Sequence, residues 1–196
     1  MNELGIYIHL GFKHIIEWGA WDHILFVWVL ALRYQWIDWK KLLILITAFT
    51  IGHSITLALS TLNWIDFPSQ WIETLIPTTI LITAISNFWV KNFDFQSKYP
   101  VIYFFALFFG LIHGLGFSTY LKSLLGKETS IFGPLFTFNI GLELGQLLVV
   151  GVILIISFIF VSVFRVNRLR YLQIGSAIAM LFASNMVIDR VVSFIK

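Results

Sequence analysis

The stretch Leu42-Leu-Ile-Leu-Ile-Thr-Ala-Phe-Thr-Ile-Gly-His53-Ser-Ile-Thr-Leu-Ala-Leu-Ser-Thr-Leu62 decides the class of fold. It holds no Asp, Glu, Lys or Arg, and its length matches the roughly 20 residues a helix needs to cross the hydrocarbon core of a bilayer. Similar runs surround it. A first span is expected from about Trp21 to Tyr34, and others from Trp71 to Val90 (carrying Pro77), Val101 to Leu121, Phe132 to Phe164 and Leu169 to Ile195. Upstream lies a shorter apolar segment, Leu4 to Trp18, interrupted by His9, Lys13, His14 and Glu17 and followed by a break at Gly19 and Ala20. It reads as an interfacial or re-entrant helix. The expected fold is all-α, a polytopic membrane bundle of about six transmembrane helices in one integral membrane domain.

Composition supports that class. Of 196 residues, 59% are hydrophobic and 12% charged, too few charges to coat a soluble domain, which carries about 25%. There is no cysteine, which excludes disulfides and thiolate metal sites and leaves imidazole and carboxylate as metal ligands. The net charge of +3 is scattered between apolar runs and forms no nucleic-acid patch. The expected partners are the lipid bilayer and a divalent metal ion, with no nucleic acid; a homo-oligomer is left open. The first ten residues lack a basic region and a small-residue cleavage site, so no cleavable signal is expected.

Basic residues give the orientation. The first, third and fifth loops carry Arg33, Lys40 and Lys41, then Lys91 and Lys98, then Arg165, Arg168 and Arg170; the second carries none and the fourth only Lys122 and Lys127. Lys and Arg concentrate on the cytoplasmic side, which predicts a multi-pass membrane protein with its N-terminus outside the cytoplasm. The many tryptophans at span edges, such as Trp36, Trp64 and Trp89, suit the headgroup level.

Ionisable groups inside spans are costly and normally face the bundle interior with a function. Asp22 and His23 open the first span, His53 and Ser54 lie in the second, Glu73 opens the third, His113 lies in the fourth, and Asn139, Glu143 and Gln146 lie in the fifth. Counted from the helix ends, His53, His113 and Glu143 fall roughly 12–17 Å from the outer surface. Asn139, Glu143 and Gln146 share one helix side, as do Thr50, His53 and Ser60. Gly110 and Gly114 flank His113, and Gly141 and Gly145 flank Glu143, spacings that let helices approach closely in lipid. His23, His53 and His113 with Asp22 and Glu143 therefore form a candidate site for zinc, nickel or another divalent transition metal. A carboxylate there can ligate the metal or hold the second ring nitrogen of a histidine. Ser54, Asn139 and Gln146 are expected as supporting partners, with His14 and Glu73 at the margin. For Glu73 the plainer reading is an acceptor at a helix N-terminus, and for Asp189 and Arg190 a solvated or snorkelling pair.

At these residues the chain resembles the HupE/UreJ family of bacterial membrane proteins. The matching stretches are Gly11-Phe-Lys-His-Ile-Ile, Asp22-His23-Ile-Leu-Phe, Phe49-Thr-Ile-Gly-His-Ser-Ile-Thr-Leu, Phe109-Gly-Leu-Ile-His-Gly-Leu-Gly-Phe and Asn139-Ile-Gly-Leu-Glu-Leu-Gly-Gln, in the same order over nearly the whole chain. The family is associated with hydrogenase and urease gene clusters, and its members are regarded as nickel permeases or metal-handling accessory proteins. The resemblance implies His14, Asp22 and His23 as a first-helix motif, with His53, His113 and Glu143 completing the polar centre.

Two activities compete. In the first, a divalent ion enters from the outer side, meets the histidines and acids, and leaves inward. In the second, Ser54, Asp22, His23, His53 and His113 form a zinc-dependent intramembrane hydrolase, with the residue inventory, though not the spacing, of the alkaline ceramidase and adiponectin-receptor type enzymes. The scarcity of polar residues in the inner halves of the spans favours the second. A third reading makes the polar centre purely structural.

Overall fold

A computed structural model describes residues 3–17, 20–93, 101–125 and 131–195. Trp18, Gly19, Lys98 and Lys127, used above to place the break and count loop charges, lie outside the described residues. The described residues form helices and connecting turns with no strand. The helices are α1 (Glu3–Ile16), α2 (Trp21–Ala31), α3 (Trp39–Thr61), α4 (Ser69–Ser86), α5 (Val101–Leu125), α6 (Phe132–Phe158) and α7 (Arg168–Ile195). Short 3-10 turns precede α3 and follow α4, and a π turn over Ile159–Val163 extends α6. Among the described residues, five helices are long and apolar enough to cross a membrane, and α2 is a shorter apolar helix. The surface matches: Ile51, Phe104, Phe108, Leu148, Ile155, Leu181 and Phe182 are exposed. Such a coat suits lipid and is far more apolar than water tolerates.

The segment expected as interfacial or re-entrant docks into the bundle. α1 lies along the first half of α6 and α2 packs against the second, so the two follow one another in one direction. The helix stops after Ile16 and resumes at Trp21, and this interruption sets His14 and His23 at facing ends.

Two pairs of helices touch backbone to backbone. Between α3 and α5, a β-carbon on Gly52 would stand 2.1 Å from the Leu107 carbonyl oxygen, and one on Gly110 would stand 2.1 Å from that of Phe49. Between α1 and α6, a β-carbon on Gly11 would stand 2.0 Å from the Phe138 carbonyl oxygen, and one on Gly141 2.0 Å from that of Ile8. Without a hydrophobic drive between helices in lipid, such approach supplies the dispersion contact that holds them. The expected roles of Gly110, Gly114, Gly141 and Gly145 are met. Gly52 and Gly11 are the partners that helix spacing did not identify.

α4 and α7 form an antiparallel pair. Asn87, fully buried at the end of α4, donates to the Val29 carbonyl at 3.1 Å and to Ser176 Oγ at 2.9 Å, and accepts from Arg33 Nε. Arg33 also donates to Ser86 Oγ at 2.7 Å, and Arg168 donates to the Arg33 carbonyl at 2.8 Å. Asp38 lies 3.5 Å from Arg168 and 3.3 Å from Lys41. The first and fifth interhelix loops therefore meet at one end of the bundle.

Candidate metal centre

His14 lies in the last turn of α1, His23 opens α2, His53 lies in the C-terminal half of α3 and His113 at the middle of α5. Helix geometry brings all of them together. The ring centroids of His14 and His23 are 4.6 Å apart, those of His23 and His113 5.5 Å, and His53 stands 6.3 Å from both His14 and His23. One ring nitrogen from each of His14, His23 and His53 lies within 4.8 Å of the other two.

The protonation of two rings follows from their partners. Asp22 Oδ1 accepts from His23 Nδ1 at 2.9 Å and from the His23 backbone N–H at 2.8 Å. His113 Nδ1 donates to the Phe109 carbonyl at 2.8 Å. A hydrogen on Nδ1 leaves the lone pair on Nε2, and an acceptor behind a metal-binding histidine fixes its tautomer in this way. The Nε2 atoms of His14, His23 and His113 and both ring nitrogens of His53 are buried and have no hydrogen-bond partner among the described residues. Buried polar atoms left so cost free energy, of order 1–3 kcal/mol each. A metal that accepts their lone pairs removes that cost, so the donor set fits a divalent transition metal. The Phe26 and Phe49 rings, each 5.1 Å from His113, and Phe117, 3.9 Å from His14, surround the rings with apolar surface. A cavity of about 220 Å³ lined by Leu10, Lys13, His14, Glu17 and Phe117 adjoins the group. Lys13 and Glu17 pair there at 3.2 Å, both more than half exposed.

The other expected residues are placed as follows. Asp22 stands behind His23. Glu143 is held by Thr47, whose hydroxyl donates to it at 2.8 Å, and Gln146 Oε1 accepts from Thr50 at 2.8 Å. These two pairs continue along α3 and α6 from His53 toward the N-terminal end of α3. Asn139 donates to the Leu135 carbonyl at 2.9 Å, and its Oδ1 is buried without a partner among the described residues. Ser54 Oγ is engaged with the Thr50 carbonyl at 2.6 Å. Glu73 pairs with Arg190 at 2.9 Å across α4 and α7. His14, set at the margin in sequence, stands within the three-histidine group. Helix spacing gives no signal for the Phe109 carbonyl that holds His113, nor for Thr47.

No curated protein and no solved structure matches the chain. A family model described as HupE / UreJ protein matches residues 1–190. That match covers nearly the whole chain, and the chain belongs to the HupE/UreJ family.

Proposed function

We propose that this protein carries a divalent transition-metal ion of the nickel type across a bacterial inner membrane, its N-terminus outside the cytoplasm, or hands such an ion onward. The metal is the cargo. His14, His23, His53 and His113 bind it, with Asp22 orienting His23. The observation that carries the reading is the convergence of unpartnered, buried ring nitrogens from four separate helices. Imidazole without thiolate suits nickel or zinc and leaves room for exchange, as transport requires. Lys13, Glu17 and the cavity beside His14 supply an approach. The pairs Thr50–Gln146 and Thr47–Glu143 supply polar groups on the far side of His53. On this reading Glu143, engaged by Thr47, serves the passage of the ion and is not one of its first ligands. The family's association with metal handling agrees.

The test is uptake of nickel and of zinc into liposomes holding the purified protein, with counterflow from metal-loaded vesicles. Saturable uptake that His23→Ala abolishes is expected. Tight metal binding with no counterflow in the intact protein removes the carrier reading.

A further inference from the structure

The two backbone contacts described above are one contact seen twice. On α1, Gly11 lies against the Phe138 carbonyl and the Leu142 amide of α6; on α5, Gly110 lies against the Phe49 carbonyl and the His53 amide of α3. On α6, Gly141 lies against Ile8 and Phe12 of α1; on α3, Gly52 lies against Leu107 and Leu111 of α5. Gly145 meets Ile15, and Gly114 meets Thr56. Each α1 residue in this set has its α5 counterpart at one constant offset, and each α3 residue has its α6 counterpart at another. The same offset carries His14 onto His113. Short sequence matches go with it: Gly11-Phe-Lys-His14 and Gly110-Leu-Ile-His113, Phe49-Thr-Ile-Gly52 and Phe138-Asn-Ile-Gly141.

Direction completes the relation. Contacts advance together along α1 and α6, and along α3 and α5, so each pair is parallel. The spans α3, α4, α5 and α6 cross in alternating senses, so the α1–α6 pair points opposite to the α3–α5 pair. α4 and α7 pack antiparallel, with Glu73 against Arg190 and Asn87 against Ser176, as helices exchanged by a two-fold axis must. The geometry points to an inverted-topology repeat. Helices α1, α3 and α4 correspond to α5, α6 and α7 about an axis in the membrane plane, and the histidine centre at their interface is reached alternately through His14 and through His113. Such repeats with a broken helix at a midplane site are the architecture of alternating-access carriers.

The two halves are not equivalent in this conformation, and that asymmetry supplies the mechanism. His14 lines a cavity with Lys13 and Glu17. Its counterpart His113 is 1% exposed. Ile112, the counterpart of Lys13, faces an apolar groove of about 640 Å³ shared with Ile72 and Leu75 of α4. A β-carbon on Gly116, the counterpart of Glu17, would stand 2.9 Å from Ile76. Thus α4 covers the α5 side, while among the described residues α7 makes no comparable contact with α1. Exchanging these roles opens the route at His113 and closes the one at His14. A symmetric pair of conformations has near-equal packing, so cargo can bias the equilibrium cheaply.

This inference rests on the proposed metal carrier, and its test separates the two. The chain has no cysteine, so single cysteines can be read without background. Lys13→Cys and Ile112→Cys are labelled in proteoliposomes with a membrane-impermeant maleimide added inside or outside, during nickel or zinc flux. Inversion predicts that Lys13→Cys reacts from one face of the membrane and Ile112→Cys from the opposite face, the latter only when metal is cycling. Reaction of both from the same face, or no reaction of Ile112→Cys during flux, overturns the inference. Metal content of the same variants reports on the site separately: bound metal with same-face labelling keeps the centre and removes the inverted carrier.

Discussion

The carboxylate of Asp22 holds the imidazole of its own neighbour, His23, at 2.9 Å on Nδ1, and the same oxygen accepts the His23 backbone N–H. Adjacent residues of a regular helix point about 100° apart. At the first turn of α2, after the interruption, the carboxylate folds back over the helix start, where free N–H groups favour a negative charge. The consequence is that Nδ1 is committed to the carboxylate, while Nε2, buried and without a partner among the described residues, keeps its lone pair for a metal.

Asp22→Asn keeps the shape and removes the charge that fixes this tautomer. It should lower metal affinity by about 10–100-fold, the usual cost of losing a partner behind a metal-bound histidine, with the fold intact. Isothermal titration beside circular dichroism checks this; unchanged affinity would mean Asp22 does not orient the ring.

Gly52→Ala and Gly110→Ala each place a methyl group against a carbonyl oxygen of the facing helix at 2.1 Å. Backbone cannot yield as a side chain can, so the cost lies at or above the upper end of the roughly 1–3 kcal/mol typical of overpacking. A large loss of thermal stability in detergent is expected for both. Gly151 has nothing within 4 Å, and Gly151→Ala should be neutral or slightly stabilising. Equal melting temperatures for all three would show that α3 and α5 do not meet as described.

Asn87 joins Arg33, Val29 and Ser176 in a fully buried network. Asn87→Ala leaves those groups short of partners and should destabilise by about 1–3 kcal/mol. Glu73→Gln breaks a half-exposed pair with Arg190 and should cost less than about 1 kcal/mol. Metal content should stay unchanged in both. Thermal unfolding and elemental analysis of the two variants provide the comparison; loss of metal from Glu73→Gln would bring that carboxylate back to the site.

Much of this arrangement was legible in the sequence because lipid imposes a simple rule. Apolar runs of sufficient length must be helices, and span ends fell within a few residues of the observed helices, as at Leu42–Leu62 against Trp39–Thr61. Histidines within such runs had to turn inward, so His23, His53 and His113 could be grouped. Spacing along one helix gives a face but not the neighbour it meets. Asn139, Glu143 and Gln146 share a side of α6, yet that side delivers Glu143 and Gln146 to Thr47 and Thr50 of α3. His14 was hard to place because it lies beyond a break, and only the packing of α1 on α6 shows that the break returns it to His23. The inverted repeat proposed above is faint in the sequence, where the halves share only a histidine-bearing small-residue helix each, because backbone contact needs glycine at a few points and leaves the intervening side chains free to diverge.

Glu143→Gln and Ser54→Ala separate path from ligand and carrier from hydrolase. Glu143→Gln should keep bound metal and slow uptake severalfold, because its contact is Thr47 on the far side of His53. Ser54→Ala should change neither, since its hydroxyl serves the Thr50 carbonyl. Uptake rates and metal content of the two variants check this, and a Ser54→Ala variant that binds metal but has lost function would revive the hydrolase.

The most direct measurement is the metal content of the purified protein, by mass spectrometry, for the intact chain and for His53→Ala and His113→Ala after equilibration with nickel or zinc at limiting concentration. The intact chain should hold about one ion per chain, His53→Ala should lose it, and His113→Ala should hold it more weakly. Equal metal in all three, or none in the intact protein at any concentration that leaves it folded, would contradict a metal centre built from these imidazoles.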